Sequence, residues 1–139
     1  MIRFLLDTNV VSEVRKLRPH GAVIAWLTGL QPEQILIPAV TMGELQAGVE
    51  LTRRSDPAKA DEIENWLSSL EDSFAIVPMD AACFREWARI MSGKPDALRT
   101  DAMIAATARV HHLEVATRNE NDFQHLGVNV VNPFKVRPQ

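Results

Sequence analysis

Five short apolar runs, at residues 2–6, 35–37, 74–77, 113–117 and 128–131, punctuate this chain, and most of what lies between them is patterned as helix. The helical stretches fall near 9–16, 20–30, 39–52, 58–72, 80–92 and 99–111. Helices of that length return the chain to the end of the sheet it left, so successive strands run parallel through right-handed crossovers. The first run is apolar except for Arg3, as expected of a strand covered on both faces. Val128-Asn129-Val130-Val131 is more mixed and suits an edge. Pro19, Pro32, Pro38, Pro57 and Pro78 all fall near element boundaries. The expected fold is therefore a three-layer α/β/α arrangement with a central parallel sheet of about five strands. One domain spanning residues 1–139 is expected.

Composition removes several alternatives. A chain with 46% hydrophobic and 24% charged residues is neither disordered nor built for a membrane. No apolar stretch approaches a membrane span, and Asp7 interrupts the place where a signal peptide would carry its hydrophobic section. The lone Cys83 excludes a disulfide framework and reads as a core thiol in a reducing compartment. A cytoplasmic protein is expected. The net charge of −3 runs against a nucleic-acid partner. That objection weakens if clustered carboxylates hold a cation that offsets them. Positive charge is also bunched at Arg15-Lys16-Leu17-Arg18 and Arg53-Arg54, although solvated helix ends are the plainer reading of either cluster.

Four acids carry the chemistry. Asp7 ends the first apolar run, and ligands of open α/β sheets gather outside the carboxyl ends of strands. Val40, Glu44, Ala47 and Leu51 recur at helical spacing, which predicts Glu44 on an inward apolar stripe beside Gly43 and Gly48. Asp101 shares a helical face with Ile104, Ala105 and Ala108. Asp122 lies among turn-forming neighbours in Thr117-Arg118-Asn119-Glu120-Asn121-Asp122-Phe123. Each has a bland explanation alone: Asp7 and Asp101 as helix caps, Glu44 half exposed or paired with an arginine, Asp122 as a turn former. Together they point to one site. Gathered carboxylates repel one another and lose hydration, so they call for a cation. An all-oxygen set suits Mg²⁺ or Mn²⁺, and the usual chemistry of such a site is phosphate-ester hydrolysis.

These same residues carry a family resemblance. Asp7-Thr8-Asn9 after a first strand resembles the opening motif of PIN-domain ribonucleases. Glu44 within Met42-Gly43-Glu44-Leu45 resembles their second acid, and Asp101 at the head of Asp101-Ala102-Met103-Ile104 the third. The segment Thr117 to Phe123 resembles the fourth motif, where Asn119, Glu120 and Asp122 compete and the Asp-Phe match favours Asp122. The likeness covers essentially the whole chain and is nearest to VapC-type toxins, the FitB-like branch especially. It implies a Mg²⁺- or Mn²⁺-dependent endoribonuclease cutting single-stranded or loop RNA to 5′-phosphate and 3′-hydroxyl ends. It also implies a homodimer, joined into a heterotetramer or larger assembly by a small DNA-binding antitoxin through which alone it meets operator DNA. Thr8, Asn9, Thr117 and Asn119 resemble positions that orient the acids or touch substrate, although Thr8 and Thr117 could equally satisfy only local backbone.

The remaining features say less. His20, His111, His112 and His125 have no ligand spacing, which disfavours metal-independent histidine chemistry. Trp26, Trp66 and Trp87 lie in amphipathic stretches and read as packing rather than base-stacking residues. Ile63, Trp66, Leu67 and Leu70 form either a core face or a partner surface. A receiver domain would need an acidic pair after the first strand and an acceptor aspartate near Ile76-Val77-Pro78-Met79, and this chain has neither. A dehalogenase-type phosphatase would want an aspartate where Asn9 stands. A catalytically silent subunit that binds RNA or an antitoxin remains the alternative.

Overall fold

The computed structural model describes residues 1–135. Its sheet contains β1 (Phe4–Leu6), β2 (Ile35–Pro38), β3 (Ala75–Val77), β4 (Glu114–Ala116) and β5 (Val130–Val131), all parallel. They lie in the order β3-β2-β1-β4-β5. Around them pack α1 (Thr8–Arg15), α2 (Gly21–Thr28), α3 (Ala39–Arg53), α4 (Pro57–Ser73), α5 (Ala81–Met91), α6 (Arg99–His111) and α7 (Glu120–His125).

The period-two alternation of the central strand divides the core. Leu5, registered with Leu36 and Val115, points into one cluster with Ile104, Ala105 and Phe123 from α6 and α7. Phe4 and Leu6 point the other way, among Val10, Val23, Val49 and Leu67 from α1 to α4. Both faces of the sheet are thus covered, giving the three-layer α/β/α arrangement. Caps set the helix starts: Asp56 accepts from the Lys59 N–H at 3.0 Å with Pro57 in the first turn, and Asp80 accepts from the Cys83 N–H at 3.0 Å.

Topology then decides where the site must be. After β1 the chain builds outward through β2 and β3, then returns to lay β4 against the other side of β1. This reversal opens a crevice beyond the carboxyl ends of β1 and β4. Asp7 is the residue after β1, and Thr117 is the residue after β4.

Four details depart from the sequence reading. Four strands are shorter than the apolar runs that announced them, because ladder pairing ends before hydrophobicity does, while β2 runs one residue further, to Pro38. The six-residue helix α7 forms where turn formers are concentrated; it is too short for a helical pattern and is anchored by buried Phe123, with Leu126 buried just after it. Short 3₁₀ turns at Pro32–Gln34 and Asp96–Leu98 were likewise without a periodic signal. The fourth departure concerns α3. Its stripe of Glu44, Ala47 and Leu51 faces outward, with Leu51 65% exposed, while Thr41, Leu45 and Val49 on another face turn inward. Small residues made the two faces look alike in sequence.

Other expectations are met by the packing. Cys83 is buried, and its thiol is pushed up by that burial. Leu67 and Leu70 are core residues, with Ile63 and Trp66 packed against them. Trp26 meets Phe4 edge-on at 4.9 Å, and the Trp87 indole N–H donates to the Arg99 carbonyl at 3.0 Å. Arg53 is not a loose helix end: it pairs with Glu50 on its own helix and bridges α3 to α4 through Asp61 and Glu64. Among the described residues no helix is long and apolar enough to cross a membrane.

Candidate active site

Asp7 is the buried member of the acid set, 5% exposed, and both of its oxygens accept hydrogen bonds. Its Oδ1 accepts from the Thr8 N–H at 2.8 Å, which makes it the N-cap of α1. Its Oδ2 accepts from the Thr117 hydroxyl at 2.8 Å and from the Asn9 side-chain amide at 3.2 Å. Burial pushes the Asp7 carboxyl up, the bonds from Thr117 and Thr8 pull it back, and the Glu44 charge adds a smaller upward push. The capping explanation of Asp7 is therefore true but incomplete. A cap alone does not require a buried hydroxyl from another strand.

Asn9 and Thr117 join two chain segments around that carboxylate. The Asn9 amide nitrogen donates to Asp7 while its oxygen accepts from the Arg118 N–H at 3.3 Å. Thr117, fully buried, accepts from the Asn119 N–H at 2.9 Å while donating to Asp7. The bond made by Asn119 is thus a backbone bond.

Glu44 is held differently. The Thr8 hydroxyl lies 2.6 Å from Glu44 Oε1 and 3.1 Å from the hydroxyl of Thr41. A carboxylate only accepts, so the single Thr8 proton goes to Glu44 and Thr41 donates to Thr8. Thr41 is fully buried and was not singled out in the sequence. It precedes Glu44 by three residues on the same helix, which is the signal that could have found it.

Asp101 ties the set together. It stands in the first turn of α6, with Ile104, Ala105 and Ala108 buried beneath it as its spacing implied. Its carboxyl is pushed up to about 6, first by burial and then by the charges of Asp7, Asp122 and Glu44. Asp122 is an exposed residue in the first turn of α7. Glu120 turns to another partner: it pairs with Lys135 at 3.3 Å, and hydrogen bonding from Asn132 and Lys135 holds it below the usual carboxylate range.

Among the described residues, none of Asp7, Glu44, Asp101 and Asp122 makes an ion pair with a lysine or arginine. Nor do any three acidic, histidine or cysteine side chains there close tightly enough to enclose an ion unaided. An open, all-oxygen, uncompensated set fits a hard divalent cation that keeps part of its water shell. A cleft of about 330 Å³ beside Asp122 is lined by Arg118, Asn119, Glu120, Asn121 and Lys135. Shallow and polar, it suits a polymer passing over it better than an enclosed small molecule.

Comparison with known proteins agrees with this geometry. Residues 4–129 match the PIN domain. The chain is 38% identical over 137 residues to Toxin FitB of Neisseria gonorrhoeae, covering 94% of this chain and 97% of that one. It is 33% identical over 139 residues to VapC ribonuclease Y4jK of Sinorhizobium fredii, again covering 94% and 97%. The crystal structure of FitAcB from Neisseria gonorrhoeae superposes with a TM-score of 0.86 at 37% identity, covering 96% of this chain and 99% of that one. Sheet order, the acids around the crevice and the family match lead to one assignment: this chain belongs to the PIN domain family.

Proposed function

We propose that this single PIN domain is a divalent-metal-dependent endoribonuclease, acting as a toxin that a small partner protein holds in check. The observation that carries the reading is the action of three carboxylates on Asp101 with no ion pair to compensate them. Such a site is unfavourable in itself and becomes favourable around a cation. Relatives named as a ribonuclease and as a toxin support the RNA substrate and the biological role.

Asp7 and Asp101 would hold a Mg²⁺ or Mn²⁺ ion, with Glu44 and Asp122 reaching it directly or through water. When bound, that ion acidifies a water and offsets charge developing on the phosphate. Thr117 and Asn9 fix the Asp7 carboxylate, leaving its remaining lone pairs directed by the fold rather than by solvent. Thr8, set by Thr41, does the same for Glu44. The more exposed carboxylates, Glu44 and Asp122, are the ones open enough to orient the attacking water or take its proton.

The partner follows from charge. An uncompensated acidic crevice attracts a basic segment, an arginine above all, when neither cation nor RNA fills it. Homodimers capped by such a segment form the expected assembly. Cleavage of single-stranded RNA with Mg²⁺, Mn²⁺ or EDTA tests the enzyme reading. Activity that persists undiminished in EDTA rules it out. Co-purification with the product of an adjacent small gene tests the partner.

A further inference from the structure

The loop between β4 and α7 supplies Thr117 and Asn119 and leads to Asp122 in α7, and it also contains one cation, Arg118. We infer that Arg118 anchors the RNA backbone beside the acids, binding a phosphate that flanks the scissile one. The inference rests on the ribonuclease reading above.

Arg118 is held in place from both ends. Its backbone N–H donates to Asn9 Oδ1 at 3.3 Å, and its guanidinium carbon lies 3.7 Å from the centroid of the Phe134 ring. Phe134 is fixed in turn: its N–H donates to Asn132 Oδ1 at 3.0 Å, and His20 meets its ring edge-on at 5.3 Å. A stacked guanidinium spends one face on the ring and keeps its in-plane N–H fork for something else. Among the described residues, the Arg118 side chain makes no hydrogen bond and no ion pair.

The Arg118 charge acts on the buried carboxylate of Glu13, at longer range than an ion pair. Arg53 spends its fork on three carboxylates, Arg109 reaches Glu86 at 3.5 Å, and Lys135 is taken by Glu120. Arg118 lies in sequence between Thr117 and Asn119, in the loop that holds the Asp7 carboxylate through Thr117. Stacking on Phe134 fixes its plane, and the residue lines the cleft that Asp122 and Asn121 also line. A polyanion approaching this crevice meets like charge, so it needs a cation at the rim to draw it in. A planar fork of unspent donors matches phosphate, and a fixed plane lowers the entropy lost on binding it.

The test compares wild type with Arg118→Gln, Arg118→Lys and Phe134→Leu on a short labelled single-stranded RNA. KM and kcat are measured in active protein, and salt-dependent binding is measured in an Asp7→Asn background. Arg118→Gln should raise KM roughly tenfold with little change in kcat, the size of one lost charge-assisted bond. Its plot of log affinity against log salt should flatten by about 0.7, one phosphate contact on a single strand. Arg118→Lys should keep the slope and recover part of the affinity, and Phe134→Leu should keep the slope while raising KM. If Arg118→Gln fails to fold, an unchanged KM in Phe134→Leu overturns the inference. An active wild type with KM and slope unmoved by Arg118→Gln overturns it too, as does a variant that loses only capture of the partner protein. A wild type that cleaves no RNA with any divalent ion overturns the ribonuclease reading, and this inference with it.

Discussion

The Thr117 hydroxyl donates to Asp7 Oδ2 at 2.8 Å, joining residues 110 apart in sequence at the ends of two neighbouring central strands. This bond holds the most buried carboxylate of the site against the strand that delivers the fourth motif. Thr117→Val keeps the shape but strands an acceptor on Asp7 and a donor on Asn119. Stability should fall by about 1–3 kcal/mol, the usual cost of leaving a buried polar group unpaired. Thr117→Ser should restore most of it. Urea midpoints equal for the Val and Ser variants would contradict the assignment.

Asp7→Asn removes charge while keeping volume, and the Thr117 hydroxyl and the Asn9 amide can turn to accept from the nitrogen that replaces one oxygen. Cleavage should fall to background, with the circular dichroism spectrum unchanged. In EDTA the variant should melt no lower than wild type, because burial and the Glu44 charge already disfavour the Asp7 carboxylate. A large loss of metal-free stability would mean that Asp7 serves the fold first.

Metal-free stability should depend on pH in an unusual direction. Folding raises the Asp101 carboxyl from 3.8 to about 6, so between those values the folded protein binds more protons than the unfolded chain. The contribution is complete below about 4 and is lost as pH rises through about 6. Asp7 is shifted in the same direction. The acids shifted downward, Glu13, Glu50, Asp80 and Glu120, lose their contribution only near and below their ordinary range. Melting temperature in EDTA should therefore rise as pH is lowered from 7 to 5, and Asp101→Asn should flatten that rise. Mg²⁺ should flatten it too, by stabilising the ionised site through binding. A wild-type curve falling from pH 7 to 5 would refute this account.

The fourth acid can be separated from its neighbour. Asp122→Asn should lower cleavage about 10- to 100-fold, the scale of losing a partner of a metal site. Glu120→Gln should leave the rate nearly unchanged, because Glu120 is engaged with Lys135. Comparable losses in both variants would place Glu120 in the site as well.

Much of this molecule was legible in its residues, for identifiable reasons. Buried strands and long amphipathic helices announce themselves through runs and periodicity, so the parallel sheet and three layers followed directly. Asp101 could be read because the residues at its helical spacing, Ile104, Ala105 and Ala108, are all buried. Glu44 was found on a mistaken ground: its stripe looked inward because Ala47 and its glycine neighbours left two faces of α3 indistinguishable. Helix α7 escaped because one turn and a half anchored by a single phenylalanine has no period to detect. Thr41 escaped because a lone buried hydroxyl has no sequence signature beyond its spacing to Glu44.

The order in which the acids occur has a consequence for the living cell. Asp7 is made first, but Asp122 comes only in α7, after four of the five strands described. No earlier segment holds the full set, and the crevice needs both helical layers docked on the sheet before the carboxylates meet. A nascent chain that has reached only α4 therefore has no assembled site. The proposed activity is therefore a property of the docked domain, and no run of the chain short of α7 can possess it.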